Sequence, residues 1–259
     1  MKILFLADIV GTPGRQAVAD RLPSLREELD IDFCIANGEN LADGVGITPK
    51  LADRVLESGV DAITLGNHTW RRMEIVPYLN GTDRVARPAN LTSGAPGKGL
   101  VYAVGRNDTK VAVINVMGSL FMDTPVSMWE IVDELVEEAR RRTPVVWVDV
   151  HGEATSEKVA LAQWLDGRVT AVVGTHTHVQ TNDARVLPGG TAALSDAGMT
   201  GPHNSVIGVQ SDLAIKRMRT GLPVRFETAA GDVRLEGALV ECNGSGRAST
   251  CATVRVHVA

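Results

Sequence analysis

Five apolar segments of this sequence end in side chains that can bind a metal ion, and this pattern restricts the folds open to the chain. The five ends carry these residues: Asp8; Glu39 and Asn40; Asn67 and His68; His151; and His176 and His178. In open α/β sheets, functional sites gather at the carboxyl ends of the strands. Strands that deliver such residues to one edge can surround a single point, so the pattern predicts an α/β fold with a site at that edge.

Each of these residues also has an ordinary structural interpretation. A lone Asp8 at a strand end would usually cap a turn, and a lone His151 would usually be a hydrogen-bonded structural histidine. Their joint occurrence favours chemistry, because four of the six histidines fall at such strand ends. Together they predict a metal centre.

The rest of the chain predicts a layered architecture. Strands and amphipathic helices alternate first, including a helix over residues 14–29 with a kink or restart at Pro23. The C-terminal part instead shows alternating residues at 223–228, 233–241 and 252–258, typical of antiparallel strands. We therefore predict a four-layer α/β/β/α sandwich of two mixed sheets flanked by helices, with residues 1–259 as one domain.

Charge and cysteine content narrow the function classes. The formal net charge of -5 argues against an extended nucleic-acid surface, although a small nucleotide could still bind in a local cleft. No apolar run is long enough for a membrane span, and the first residues do not form a signal peptide. Cys34 is expected in the core, and a Cys242–Cys251 disulfide is disfavoured because nothing suggests export. We expect a cytoplasmic protein.

The residue types indicate which metals and which chemistry to expect. Neutral imidazoles suit Mn, Fe or Zn, whereas Mg prefers oxygen ligands, and the absence of cysteine among these positions disfavours structural zinc. Two ions held about 4 Å apart by a bridging carboxylate can acidify a shared water to hydroxide, which attacks phosphorus. The ions also neutralise charge on the phosphate oxygens.

These residues resemble the motifs of the calcineurin-like metallophosphoesterases. The corresponding segments here are Asp8-Ile9-Val10-Gly11, Gly38-Glu39-Asn40, Gly66-Asn67-His68, His151 and Gly174-Thr175-His176-Thr177-His178. Val10 stands where the usual histidine ligand would be, and Glu39 where the bridging aspartate would be. Both departures resemble the YmdB-like 2′,3′-cyclic-nucleotide phosphodiesterases. That similarity extends to Ala36–Asn40, Gly66–Trp70, Arg87–Asn90 and Asp196–Pro202, and so covers essentially the whole chain.

The resemblance implies a ligand set and a reaction. Asp8, Glu39 and His178 would hold the first metal ion, and Glu39, Asn40, Asn67, His151 and His176 would surround the second, with Glu39 bridging. His68 would be the general acid in hydrolysis of 2′,3′-cyclic nucleotides to nucleoside 3′-phosphates. The metals implied are Fe or Mn, with Zn or Mg open.

Four further residues are candidates for substrate binding. Arg15 begins a helix just after Asp8, where it could meet a phosphate, although an exposed arginine at a simple helix start is an equal interpretation. By resemblance, Asn90, Gly198 and Thr200 would rim the cleft. A homo-oligomer is compatible with a domain of this kind.

Two alternatives stay open at this point. The chain could be a phosphatase or a phosphodiesterase for another substrate, such as short RNA ends. It could also be a regulatory protein that binds metal and nucleotide without turnover. His68 beside Asn67 favours an enzyme, because a pure binding protein has little need of a proton donor.

Overall fold

The computed structural model describes residues 1–258, which form fourteen strands and six α-helices. The strands are β1 (Lys2–Leu6), β2 (Asp8–Ile9), β3 (Phe33–Asn37), β4 (Ala62–Thr64), β5 (Val85–Ala86), β6 (Leu100–Val104), β7 (Lys110–Met117), β8 (Val146–His151), β9 (Ala171–Thr175), β10 (Arg185–Val186), β11 (Ala192–Leu194), β12 (Met199–Pro202), β13 (Val233–Cys242) and β14 (Ala248–Val258). The helices are α1 (Gly11–Glu28), α2 (Pro49–Glu57), α3 (Ile75–Gly81), α4 (Met128–Arg140), α5 (Thr155–Trp164) and α6 (Ser211–Thr220).

The strands form two mixed sheets. The first has the order β2-β12-β13-β1-β3-β4-β5, and β14 pairs with β13 in addition to these neighbours. The second has the order β10-β11-β9-β8-β7-β6. Strands β1, β3, β4 and β5 run parallel, as do β7, β8, β9 and β11. Parallel neighbours end at the same edge, so each sheet gathers the loops that follow its central strands at one end.

Alternating side chains place a core between the two sheets. In β1, Ile3 and Phe5 point between the sheets, whereas Leu4 and Leu6 point to the outer face. The Phe5 ring stacks on Trp147 of β8, with ring centroids 5.5 Å apart. Strands buried on both faces are continuous apolar runs, which is why β1 and β8 could be recognised in the sequence.

The helices cover the outer faces. Apolar residues of α1 and α2, including Val18, Leu22 and Val55, pack with Leu4 and Leu6 on the first sheet. On the second sheet, Val132 and Val136 of α4 and Leu161 of α5 complete a separate outer core. The predicted layers, helix on sheet on sheet on helix, are confirmed.

Several predicted elements need correction. Helix α1 is continuous across Pro23, so there is no restart there. Its buried face maintains the helix although Pro23 lacks a backbone donor. Residues 223–228 are irregular and form only an isolated bridge at Thr228. Pro223, at the start of this segment, has no N–H to donate to a ladder. Gly198 and Thr200, predicted as rim residues, lie just before and within the strand β12 (Met199–Pro202).

The cysteines are free thiols within residues 1–258. Cys34 is buried in a strand, as predicted, and Cys242 pairs across the ladder with Ala248, while Cys251 pairs with Val240. No helix in the described part of the chain has the length and apolarity that crossing a bilayer requires.

Candidate metal centre

The loops that follow the central strands of both sheets bring the predicted ligands together. From the first sheet, Asp8 follows β1, Glu39 and Asn40 follow β3, and Asn67 and His68 follow β4. From the second sheet, His151 is the last residue of β8, and His176 and His178 follow β9. The site therefore lies at one end of the sandwich, between the sheets.

Glu39, His151 and His176 form a compact donor cluster, with one ligand atom from each lying within 4.8 Å of the others. His151 Nε2 lies 3.3 Å from Glu39 Oε2 and 3.1 Å from His176 Nδ1. Asn67 Oδ1 lies 2.9 Å from the same His151 nitrogen. One nitrogen cannot satisfy three acceptors with a single proton, whereas a cation would satisfy them all.

A second group lies beside it, around Asp8 and His178. The Oδ1 atom of Asp8 is buried and has no hydrogen-bond partner among residues 1–258. It lies 3.6 Å from His178 Nε2, which is also 3.2 Å from Asn40 Nδ2. An unpartnered buried carboxylate oxygen is costly, and a bound cation would offset that cost. The donor set therefore fits a second metal ion at this position.

The proton positions on His151 follow from its other neighbour. Thr175 Oγ1 donates to Asp149 Oδ1 over 2.7 Å, so it can only accept from His151 Nδ1, 2.9 Å away. His151 therefore carries its proton on Nδ1 and presents the lone pair of Nε2 to the cluster. Metal-binding histidines are commonly oriented in this way by an outer acceptor.

The other two histidines have matching outer acceptors. His176 Nε2 lies 3.1 Å from Glu153 Oε2, and His178 Nδ1 donates to the Ile207 carbonyl over 2.9 Å. These contacts leave Nδ1 of His176 and Nε2 of His178 facing the interior of the site. Three imidazole nitrogens thus face the site, and each could bind a metal ion in place of a proton.

Burial and charge shift the pKa values of the cluster. Burial lowers the pKa of His151 to about 4, which keeps this imidazole neutral at physiological pH. Burial raises the pKa of Glu39, whereas the neighbouring His151 and His68 lower it. The effect of the two histidines is larger, so the pKa of this carboxyl lies below its usual range. Burial alone would lower the pKa of His178, yet the adjacent Asp8 carboxylate raises it to about 9. A cation beside Asp8 would take the place of that proton.

Residues that the sequence analysis missed orient the ligands. Asp149 is fully buried and accepts from Thr64, Thr175 and Asn37. Burial is the main reason that the pKa of Asp149 rises to about 7. A lone carboxylate inside the apolar strand β8 was the available signal. Glu153, in contrast, lies in a polar turn and showed no signal in the sequence.

His68 lies at the wall of the centre and not among the inward-facing histidine nitrogens. Its backbone N–H donates to Glu39 Oε2 over 3.0 Å, and its Nδ1 lies 2.7 Å from Asn40 Oδ1. The side chain is about a quarter exposed, at 24%. Asn40 thus fixes Nδ1 of His68 and leaves the other ring nitrogen, Nε2, available to a bound substrate.

The structure gives the predicted phosphate and rim residues other surroundings. The Arg15 guanidinium donates to the Leu41 carbonyl and to Thr12 Oγ1, which ties helix α1 to a loop. Asn90 is fully buried, and its amide bonds the backbone of Met117 and Val126. The contacts of both side chains are therefore structural, because backbone groups and a neighbouring hydroxyl already occupy them.

The last two rim candidates are also buried. Gly198 has φ +95°, and an added Cβ would lie 2.2 Å from Glu236 Oε2. Thr200 donates to the Glu236 carbonyl, and its own carbonyl accepts from Val10 N–H over 2.9 Å. Thr200 takes part in the pairing of β12 with β2, and both residues are buried away from the rim of the cleft.

Comparison with known proteins defines the class. A protein from Thermus thermophilus has a crystal structure with a TM-score of 0.92 and 40% identity, covering 99% of both chains. A structure described as a novel phosphatase from Mycoplasma pneumoniae gives a TM-score of 0.90 and 31% identity, covering 99% of this chain and 93% of that chain. The fold is that of the metallophosphoesterases, as predicted.

Within this class the chain belongs to the YmdB-like family. The sequence model of that family, described as "YmdB-like protein", matches residues 4–254. A relative named 2′,3′-cyclic-nucleotide 2′-phosphodiesterase, from Bacillus subtilis (strain 168), is 47% identical over 241 residues. That alignment covers 93% of this chain and 91% of the relative. The family resemblance inferred from the motifs is confirmed.

Proposed function

We propose that this protein hydrolyses 2′,3′-cyclic nucleotides to nucleoside 3′-phosphates in a metal-dependent reaction. The observation that carries the proposal is the presence, beside His68, of two adjacent donor groups that together contain three inward-facing imidazole nitrogens and an unpartnered Asp8 oxygen. The similarity to the Bacillus subtilis relative named 2′,3′-cyclic-nucleotide 2′-phosphodiesterase supports the substrate class. The alternative of a binding protein without turnover has no comparable support.

The residues that would hold the metals form two groups that share Glu39. One ion would be held by Asp8, Glu39 and His178, and the other by Glu39, Asn40, Asn67, His151 and His176. Mixed imidazole, amide and carboxylate donors suit Fe or Mn better than Mg. When bound, such a pair of ions acidifies water and neutralises charge on the phosphate.

His68 would supply the proton that the leaving group needs. Water adds to phosphorus and gives up one proton to solvent, the bond from phosphorus to the ribose 2′-oxygen breaks, and His68 protonates that oxygen as it departs. His68 then regains a proton from solvent, which completes the balance. Asn40 holds Nδ1 of His68, so Nε2 is the nitrogen that would transfer the proton. Proton transfer by a positioned side chain contributes typically ~10²–10⁴-fold to a rate.

The substitution His68→Ala tests this assignment. We expect kcat on 2′,3′-cyclic AMP to fall by about 10²–10⁴-fold, because the 2′-oxygen would leave without a proton. We expect the metal content, measured by elemental analysis, to stay that of the wild type. His257→Ala is the matched control, since His257 is an exposed histidine on the late strand β14.

Three results would contradict the proposal at different points. Unchanged turnover in His68→Ala would remove the general-acid role. Release of the nucleoside 2′-phosphate would reverse the assignment of the broken bond. A metal-loaded wild type that hydrolyses neither cyclic nucleotides nor bis(p-nitrophenyl) phosphate would exclude an enzyme and favour a binding protein.

A further inference from the structure

Two cavities are lined in part by residues of the candidate metal centre. The first, which we call the apolar cavity, has a volume of about 290 Å³, and its floor includes Glu39, Asn40 and His178. The second cavity, of about 360 Å³, borders Asn67 and carries Phe121. His176 lines both. A substrate phosphate at the centre could therefore extend its organic part in either direction.

Given the proposed function, the position of His68 determines which of the two cavities receives the base. In a 2′,3′-cyclic nucleotide the base is attached to C1′, the neighbour of the carbon that carries the leaving 2′-oxygen. The group that protonates this oxygen must therefore be close to the base-bearing side of the ribose. His68 lines the apolar cavity, whereas the wall of the second cavity, within residues 1–258, does not include it. The base must then extend into the apolar cavity.

The walls of the apolar cavity suit a flat, weakly polar group. The lining includes Val10, Val45, Ile207, Val209 and Phe226, together with the charged residues Asp43 and Glu227. Phe226 is 40% exposed, so a large part of its ring surface is uncovered, although no strand or helix contains it. Apolar walls with a few polar groups are typical of small-molecule sites, and aromatic rings stack on any nucleobase.

Two neighbouring groups add to this arrangement. The Arg217 guanidinium, from helix α6, lies over the Phe226 ring, 5.1 Å from its centroid, and so positions that ring. Thr228 also lines the cavity, next to Phe226 and Glu227.

We propose that the apolar cavity is the nucleobase site and that Phe226 is its stacking residue. The irregular segment 223–228 thereby has a function, because it brings Phe226 and Thr228 to the mouth of the metal centre. Stacking on a generic aromatic face tolerates every base, so the site would favour cyclic nucleotides as a class over base-free cyclic phosphates.

Steady-state kinetics on two substrates test the proposal: 2′,3′-cyclic AMP, and glycerol 1,2-cyclic phosphate, which has no base. We expect Phe226→Ala to raise KM for the nucleotide about 10-fold with little change in kcat, since base–aromatic stacking contributes that order of affinity. Its kcat/KM on the base-free substrate should equal that of the wild type. Phe121→Ala is the matched control, because Phe121 is an exposed phenylalanine in the second cavity, and it should alter neither substrate.

Binding measurements keep the test independent of turnover. By calorimetry, adenosine 3′-phosphate should bind the metal-loaded wild type about 10-fold more tightly than inorganic phosphate, and Phe226→Ala should remove most of that difference. Equal affinity of the wild type for the two ligands would overturn the proposal, even in an active phosphodiesterase. An equal loss on both substrates in Phe226→Ala, or a nucleotide-selective loss in Phe121→Ala, would also overturn it. A wild type without any turnover would instead refute the proposed reaction while the binding comparison still decides the base site.

Discussion

The packing around Gly66 shows how a single residue shapes the candidate centre. A Cβ atom at this position would lie 2.3 Å from Glu39 Oε2 and 2.4 Å from His151 Nε2. These two donor atoms approach each other across the sheets to 3.3 Å. The backbone of Gly66 therefore occupies the volume that the two ligands leave free on that side, and any side chain would displace them.

We expect Gly66→Ala to weaken metal binding by at least about 10-fold, the lower end of what disturbing ligand orientation costs. Competition with a chelator of known affinity would measure this directly on the purified protein. Gly81→Ala is the control, because a Cβ at Gly81 would meet no atom within 4 Å. Wild-type affinity in Gly66→Ala would show that Glu39 and His151 are not held against this backbone.

At the same scale, residue types predicted which side chains would lie together, but not the surroundings of the substrate-binding candidates. Metal-capable side chains after apolar strands were visible as a pattern, and the structure brings all of them together. Arg15 and Asn90 were chosen for their chemistry alone, whereas the structure shows their donors occupied by backbone carbonyls. A sequence shows which groups can form hydrogen bonds, but not whether a neighbouring group already satisfies them.

Among the elements, the segment after β9 carries the most unusual backbone. His176 and His178 have φ of +101° and +62°, a region that residues other than glycine rarely adopt. Thr177 between them is held by Asp196, whose Oδ2 accepts from Thr177 N–H at 3.2 Å and from its hydroxyl at 2.8 Å. Lys158 of helix α5 donates to the same oxygen over 2.7 Å, and both charged side chains are 2% exposed.

This buried ion pair acts as a positioning device for two predicted ligands, and Lys158→Met tests it. Removing one partner of a buried pair leaves an uncompensated charge, which costs about 3–5 kcal/mol of stability. Because Asp196 then loses its anchor, we also expect metal affinity to fall by about 10-fold. Lys98→Met is the control, since Lys98 and Asp83 form an exposed pair that contributes little. A lower melting temperature with wild-type metal affinity would mean a purely structural role.

The elements that sequence periodicity predicted are those with long buried faces. Helix α2 also has capping residues that are visible in the sequence: Thr48 accepts from Leu51 N–H, and Pro49 stands at the helix start. Strands β2 and β12 were missed because each is short and depends on its partner: Asp8 pairs with Met199, and Ile9 with Thr200. Pairing of this kind is a tertiary effect, to which local propensity contributes little.

For the molecule as a whole, the centre joins two sheets that otherwise meet through apolar packing. Asp8, Glu39 and Asn67 come from the first sheet, and His151 and His176 from the second. The sequence predicted this convergence because all the parallel strands involved direct their carboxyl ends to the same side. It could not predict how the sheets are oriented across the Phe5–Trp147 core, which depends on the packing of side chains far apart in the chain.

Because the ligands span both sheets, metal binding should stabilise the entire sandwich and not one loop. A ligand at 100 times its Kd adds about 2.7 kcal/mol to the free energy of unfolding. For a chain of this size, that corresponds to a rise of roughly 5–10 °C in Tm. We expect Mn²⁺ to produce such a rise in the chelator-treated wild type, measured by calorimetry. In Glu39→Ala the rise should be absent, because the residue proposed to bridge both ions is lost. Equal rises in the two proteins would show that the added metal binds elsewhere, and would remove Glu39 from the centre.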